Sequence, residues 1–364
     1  MNTERSNGRA LAAVFTGHGN PFRLQEFPIP TPGRGELLVD ISCSTICGSD
    51  LHTWHGRRIE PTPCVLGHEI VGRIVAFGPG TARRDLRGEP LEEGDRITWT
   101  LTASCGECFF CQHGLTQKCE HLFKYGHSAI VSGREFSGGF AECCLLNPGT
   151  GLVRLPDTIP DTLAAPANCA VATVASAYRL SGPVEGGAVA ILGSGVLGLT
   201  ACAMAASMNA EIVIACDIDP QRADMAREFG ATHFCEPSQL NELARDMTKG
   251  RGADCCMEFS GATSAVSGAL AAARVGGTAI IAGTTTPGKP IPVDPEQLVR
   301  RMLTIKGLHN YAPCDLLSAI DFLSESLHRF SFSSIQGGSF SLESIEDAFA
   351  TSATQSGMRT AVIP

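Results

Sequence analysis

The stretch from Ala188 to Asp217 constrains this chain more than any other. Ala188–Leu192 (AVAIL) is short and wholly apolar, the pattern of a strand buried on both faces of a parallel sheet. Gly193-Ser194-Gly195-Val196-Leu197-Gly198 follows, then a helix-like stretch, Leu199–Met208, and a second strand-like run, Ile212–Cys216. Asp217 stands at its end, nineteen positions after Gly198. A lone G-x-G-x-x-G says little. Placed between a buried strand and a helix, with an acid closing the next strand, it is the arrangement that holds a dinucleotide. Gly193 permits the tight turn, Gly195 lets a pyrophosphate approach the positive end of the helix, and Gly198 lets helix and strand pack closely. Asp217 is expected to accept hydrogen bonds from the adenosine ribose and to repel a 2′-phosphate, which favours NAD over NADP. Arg222 either reaches the ribose or is solvated on its own helix.

The alternation continues on both sides. Asp219-Pro220 opens a helix that stops at Gly230, and strands are expected at Cys255–Phe259, Gly277–Ala282 and Met302–Lys306. Residues 171–311 therefore predict an α/β, Rossmann-type domain with a doubly wound parallel sheet. Residues 1–170 differ. Short β-type runs, Glu36–Ile41, Ile70–Phe77 and Ala141–Leu146, alternate with Gly/Pro turns, which predicts a mostly β domain. After 312 the chain reads helix (Asp315–Ser324), helix (Leu342–Ala350) and strand (Arg359–Ile363). That tail is too short to stand alone, so 312–364 is assigned to the first domain.

Composition removes several classes. A length of 364 residues allows about two domains, and 43% hydrophobic with 18% charged residues is ordinary for a globular protein. A net charge of -9 argues against a nucleic-acid or membrane-surface partner. No apolar run is long enough to span a membrane. The polar stretch Met1–Arg9 does not read as a signal peptide, so a cytoplasmic protein with reduced thiols is expected.

The sixteen cysteines are too dilute for a disulfide scaffold. Cys105-x2-Cys108-x2-Cys111-x7-Cys119 has the spacing of a closed tetrahedral zinc site, in which four thiolates leave no open position and the ion is structural. Gly106 and Gly114 let that lobe bend. The ten cysteines outside this lobe and the segments considered next read as core or surface thiols.

A second set is dispersed: Cys47-Gly48-Ser49-Asp50-Leu51-His52, Gly67-His68-Glu69, and Cys169 within Ala165-Pro166-Ala167-Asn168-Cys169. Spacing does not join these. Together with the cysteine lobe and the glycine fingerprint, in that order, they resemble the zinc-dependent alcohol dehydrogenases of the medium-chain dehydrogenase/reductase family, from about residue 10 to Pro364. The resemblance implies a GroES-like catalytic domain carrying the zinc lobe at about 104–120. It implies that Cys47, His68 and Cys169 hold a catalytic zinc with a fourth position open, which makes two zinc ions per chain. Glu69 would act beside that zinc and Asp50 would orient His68. Ser49 would hydrogen-bond the substrate oxygen, and His52 would pass the proton to solvent. Thr173 would pack near the nicotinamide and Arg359 would reach the pyrophosphate. The basic residue often found after the first zinc cysteine is here Gly48. A homodimer or homotetramer is implied, paired around Met302–Lys306.

The reaction implied is hydride transfer between a small alcohol and NAD, giving an aldehyde or ketone. Trp54 is expected as a wall of the substrate pocket, and His309 as a residue closing it. Arg57 and Arg58 are either a solvated pair or a clamp for an anionic substrate end, which Lys124 and His127 are placed to join. Residues 51–58 with 307–311 resemble a bacterial subgroup associated with phosphonate catabolism, which implies a phosphonate-bearing alcohol. Polyol and threonine-type zinc dehydrogenases are the alternative, and Cys169 distinguishes them mildly. A non-catalytic dinucleotide-binding or redox-sensing protein is the alternative from another class, disfavoured by the retained ligand and relay residues.

Overall fold

The computed structural model describes residues 8–285, 288–354 and 358–364. Of the polar lead-in Met1–Arg9, the first seven residues lie outside that range. The described residues gather into two units, one running to Cys169 and including Ala312–Ser324 and Ser333–Pro364, the other comprising Ala170–Tyr311 and Glu325–Phe332.

In chain order the first unit supplies β1 (Arg9–Phe15), β2 (Arg23–Pro28), β3 (Leu37–Thr45), β4 (Cys64–Val65), β5 (Glu69–Phe77), β6 (Arg96–Ala103), β7 (Phe123–Lys124), β8 (Cys143–Leu146) and β9 (Thr150–Arg154). The second supplies β10 (Ala188–Leu192), β11 (Ile212–Cys216), β12 (His233–Cys235), β13 (Ala253–Glu258), β14 (Ala273–Ile281) and β15 (Thr304–Gly307). The tail returns β16 (Gln336–Ser341) and β17 (Arg359–Ile363) to the first unit.

The second unit is one parallel sheet in the order β12-β11-β10-β13-β14-β15. The order reverses beside β10, the strand that feeds the glycine turn, which is where doubly wound sheets bind ligands. Small residues such as Ala190, Cys256, Ala269 and Ala273 fill its core and let helices approach closely. The first unit is mostly antiparallel. Its larger sheet runs β16-β17-β3-β5-β6-β7, with β8 on β3 and β9 on β6. Its core is aromatic, built on Phe15, Trp99, Tyr125, Phe136, Phe140 and Phe349.

Assigning the whole tail after 312 to the first unit needs one correction. Glu325–Phe332 packs with the second unit. Phe332 meets Phe229 edge-on at 5.1 Å, and Arg329 Nη2 donates to the Ala206 carbonyl at 3.3 Å. Two aromatic side chains in a polar loop are enough to anchor it there. No helix among the described residues is long and apolar enough to cross a membrane.

Candidate metal and dinucleotide sites

Strand pairing builds the first site. The antiparallel register of β3 and β5 places Thr45 opposite Glu69, and β17 pairs Ala361 with Thr45 from the other side. Three distant segments thereby meet at one corner. Just past β3, Cys47 caps the helix Gly48–Trp54, and Asp50 completes a capping box by accepting from the Cys47 N–H at 2.9 Å. The other oxygen of Asp50 takes the Gly67 N–H at 3.3 Å and stands 3.4 Å from His68 Nδ1. One fully buried carboxylate thus ties the Cys47 turn to the His68 turn. Gly67 sits at φ +85°, with Phe140 pressed against the place a Cβ would take, so that turn requires glycine. Cys169 ends a buried single-turn helix, Ala165–Asn168, which Asn168 pins by donating from Nδ2 to the Trp99 carbonyl at 3.0 Å.

The result is convergence. One ligand atom each from Cys47, His68, Glu69 and Cys169 lies within 4.8 Å of the others. Cys47 and Cys169 share a hydrogen bond that pushes the Cys47 thiol down and the Cys169 thiol up, with Arg359 and His68 also favouring the Cys47 thiolate. Burial opposes a charge on His68, but Asp50 and the Cys47 sulfur outweigh it and push the imidazole up to about 10. Burial likewise pushes the Glu69 carboxyl up to about 7, with Arg359 pulling the other way. Oε2 of Glu69 accepts from Thr45 Oγ1 at 2.6 Å and Arg359 Nε at 2.8 Å, whereas Oε1 is buried with no partner among the described residues. Two sulfurs and an imidazole sharing protons, beside a buried carboxylate oxygen with free lone pairs, fit a soft divalent cation.

Arg359 has a different first partner from the pyrophosphate expected of it. Its guanidinium is buried against Glu69, with Nη2 3.6 Å from Cys47 Sγ. Ser49 Oγ lies 3.3 Å from His68 Nε2, and His52 is half-buried one helical turn further on. Trp54 packs on Phe349 at 5.8 Å and lines a groove with His18, Asn20, His55 and Glu346; none of the four clustered residues lines that groove. Arg57 is exposed, while Arg58 Nε pairs with Glu60 at 2.5 Å. Glu60 also holds His127 Nδ1 at 2.8 Å, and the His127 ring lies 4.9 Å from that of His68. Sequence reasoning missed Glu60 and Thr45. For Thr45 the signal lay in the strand register; for Glu60 there was none, since it is one carboxylate in a loop.

The cysteine lobe assembles as its spacing implies. The four sulfurs of Cys105, Cys108, Cys111 and Cys119 lie within 4.8 Å of one another. Backbone N–H groups of Cys105 and His121 donate to Cys119 Sγ, both at 3.3 Å, and that of Cys108 donates to Cys105 Sγ at 3.4 Å. Gly106 and Gly114 both adopt positive φ, +76° and +75°. Phe109, Phe110 and Leu115 are exposed, so the lobe has almost no core of its own, and thiolate–metal bonds are what would hold it.

In the second unit the glycine turn fits a dinucleotide. Gly193 has φ +98°, and a Cβ on Gly198 would fall 1.7 Å from the Gly193 carbonyl oxygen. Gly195 caps the helix Val196–Ser207, and a Cβ there would meet nothing nearer than Arg222 Nη1 at 4.0 Å. A bare cradle at a twelve-residue helix N-terminus suits a pyrophosphate. That helix starts at Val196, three residues before the expected Leu199, with Leu197 half-buried in its first turn. Asp217 accepts from Ser194 N–H at 2.6 Å and lies 3.4 Å from Arg222 Nη1, so Arg222 is bound back toward the acid rather than solvated. Thr173 is half-buried on the helix Ala170–Ser181, and His309 is exposed just past β15.

Comparison with known proteins agrees with this architecture. Residues 33–157 match the alcohol dehydrogenase GroES-like domain and residues 196–325 the zinc-binding dehydrogenase domain. The L-threonine 3-dehydrogenase of Pyrococcus horikoshii is 32% identical over 311 residues, covering 82% of this chain and 83% of that protein. The chain belongs to the zinc-dependent alcohol dehydrogenases of the medium-chain dehydrogenase/reductase family. Within that family, an alcohol dehydrogenase of Thermotoga maritima has a TM-score of 0.90 at 29% identity, covering 98% of this chain and 99% of its own. A structure from Sinorhizobium meliloti solved with NADP has a TM-score of 0.83 at 27% identity, covering 98% and 99%. This medium-chain dehydrogenase thus joins a mostly β, GroES-like unit to a Rossmann-type one.

Proposed function

We propose that this dehydrogenase passes a hydride from a small alcohol to NAD and releases an aldehyde or ketone. The observation that carries the reading is the convergence of Cys47, His68, Glu69 and Cys169, with one oxygen of Glu69 left without a partner. Cys47, His68 and Cys169 are the donors of a catalytic zinc with an open position. When bound, the zinc supplies a Lewis acid for the alcohol oxygen, and the nicotinamide supplies the hydride acceptor.

The chain's own groups do the rest. Asp50 holds His68 and the Cys47 turn in place. Ser49, 3.3 Å from His68 Nε2, is assigned the hydrogen bond from the substrate hydroxyl. His52 is assigned the proton. Burial first, then Arg57, lower its pKa, so the ring is neutral and able to accept at neutral pH. Glu69 stays beside the ligands, held by Thr45 and Arg359. Cys105, Cys108, Cys111 and Cys119 hold a second, structural zinc.

In the second unit Gly195 receives the pyrophosphate and Asp217 the adenosine ribose, while Thr173 is assigned to the nicotinamide. Asp217 favours NAD, and Arg222 beside it is the group a 2′-phosphate would seek. Relative kcat/KM for the two cofactors decides between them. The open edge strand β15, near exposed Val299, Met302 and Ile305, is assigned to a second copy of the chain. A homodimer or homotetramer follows.

The L-threonine 3-dehydrogenases among the relatives favour a second reading, in which the alcohol is threonine or a similar hydroxy amino acid. A phosphonate-bearing alcohol is the third substrate to try. The test is metal analysis with an NAD-reduction screen across 2-butanol, sorbitol, L-threonine and 2-hydroxyethylphosphonate. Two zinc ions per chain and turnover of at least one alcohol are expected. A single zinc that disappears with Cys105→Ser, and no turnover, would overturn the reading.

A further inference from the structure

Glu258 ends β13 in the second unit and has no part in the functions assigned above. Strand register sets it between Leu192, the residue before the glycine turn, and Ile281, the last of β14. It is 0% exposed, a rare place for a glutamate. Its partners account for it. Oε1 accepts from Ser260 Oγ at 2.8 Å and from the Gly261 N–H at 2.7 Å. Oε2 accepts from the Gly283 N–H at 3.2 Å and from Thr284 Oγ1 at 3.3 Å. Two donors belong to the loop after β13 and two to the loop after β14. A carboxylate that only accepts matches four donors; an amide of the same shape does not.

The clamp reaches the glycine turn. A Cβ on Gly193 would lie 2.8 Å from the Ser260 nitrogen and 2.9 Å from its Cα, so the first loop is pressed against the backbone of that turn. A Cβ on Gly283 would lie 2.5 Å from the Gly261 nitrogen, so the two loops also touch. Ser260, Gly261, Ala262 and Thr284 are themselves exposed. A buried anchor thus lies beneath an open surface.

A dinucleotide lies across the point where the strand order reverses, one nucleotide on each half of the sheet. Gly195 and Asp217 put the adenosine half over β10 and β11. The nicotinamide half then falls to β13 and β14, whose loops Glu258 joins. We propose that Glu258 is a positioning residue for NAD, binding these two loops to each other and to the glycine turn so that the nicotinamide nucleotide meets a preformed surface. Being buried, it acts through the loops and not on the cofactor. This rests on the dinucleotide reading of the second unit and deepens it.

The test compares zinc-loaded wild type with Glu258→Gln, which keeps the shape but turns an amide NH2 toward donors. Calorimetric titration should show Kd for NAD raised about tenfold, while Kd for ADP, which lacks the nicotinamide half, stays within about twofold. Without any ligand, amide exchange at Gly261 and Gly283 should quicken about tenfold, with the β10 amides unchanged. Ser260→Ala removes one donor and leaves the carboxylate in place. It should weaken NAD about two- to threefold in the same pattern, and it decides the matter if Glu258→Gln does not fold. NAD binding unchanged, equal losses for NAD and ADP, or both amides as protected as in wild type would overturn the proposal. A wild type that binds ADP and NAD in neither titration would overturn the dinucleotide reading itself, and the proposal with it.

Discussion

Replacing Arg359 by methionine separates two jobs for one side chain. The guanidinium donates from Nε to Glu69 Oε2 at 2.8 Å and reaches Cys47 Sγ at 3.6 Å through Nη2. Arg359 is 8% exposed and Glu69 0%. Methionine keeps much of the volume and removes the charge, stranding Glu69 with Thr45 as its remaining hydrogen-bond donor. Breaking a buried pair from one side costs about 3–5 kcal/mol, because the surviving charge has no compensation. For a domain of about 200 residues each kcal/mol moves Tm by roughly 2–4 °C. The transition of the first unit should therefore fall by about 6–20 °C in scanning calorimetry of zinc-loaded protein. Arg359→Met combined with Glu69→Gln removes both charges and should recover a large part of that loss. NAD affinity, followed by fluorescence titration, should stay within about threefold, under 1 kcal/mol. The opposite pattern, a Tm unmoved within about 2 °C (below 1 kcal/mol) and NAD binding weakened tenfold or more, would give Arg359 the pyrophosphate and refute the structural assignment.

Three further outcomes follow from the same geometry. Gly198→Ala places a Cβ 1.7 Å from the Gly193 carbonyl oxygen, so the glycine turn must shift; a loss of about 1–3 kcal/mol in stability and a marked rise in Kd for NAD are expected, read by calorimetry and titration. Cys105→Ser should reduce bound zinc from two to one per chain and lower the melting temperature, because the lobe has little core beyond its thiolates; unchanged metal content would remove the structural site. His52 accepts a proton only when neutral, and burial with Arg57 lowers its pKa. Alcohol oxidation should therefore fall as pH drops through a value below that of an ordinary histidine, and His52→Gln should abolish that limb of the kcat/KM profile.

Parts of this molecule were legible because the cause lay within a few residues of the effect. β10 and β11 coincide with the expected Ala188–Leu192 and Ile212–Cys216, since a strand covered on both faces must be apolar throughout. The cysteine lobe was legible from two intervals of two residues and one of seven. The helix start at Val196 was misread because the second glycine of the turn doubles as its N-cap. β14 begins at Ala273, four residues before the expected Gly277, because Arg274 is only partly covered, Val275 and Gly276 are exposed, and the register slips there. The first site is of another kind. Arg359 and Glu69 are 290 positions apart, and the tail strand that joins them has no local signature of that meeting. A methionine or leucine at 359 would have read equally well as the first residue of a strand. Glu60 is similar: one carboxylate in a loop ordinarily stays in water. Its place appears only when the fold sets it against both Arg58 and His127. What a sequence conceals here is less the identity of the reactive groups than the pairing that leaves one of them without a partner. That pairing is decided by strand register and loop packing, neither of which a single chain of letters displays.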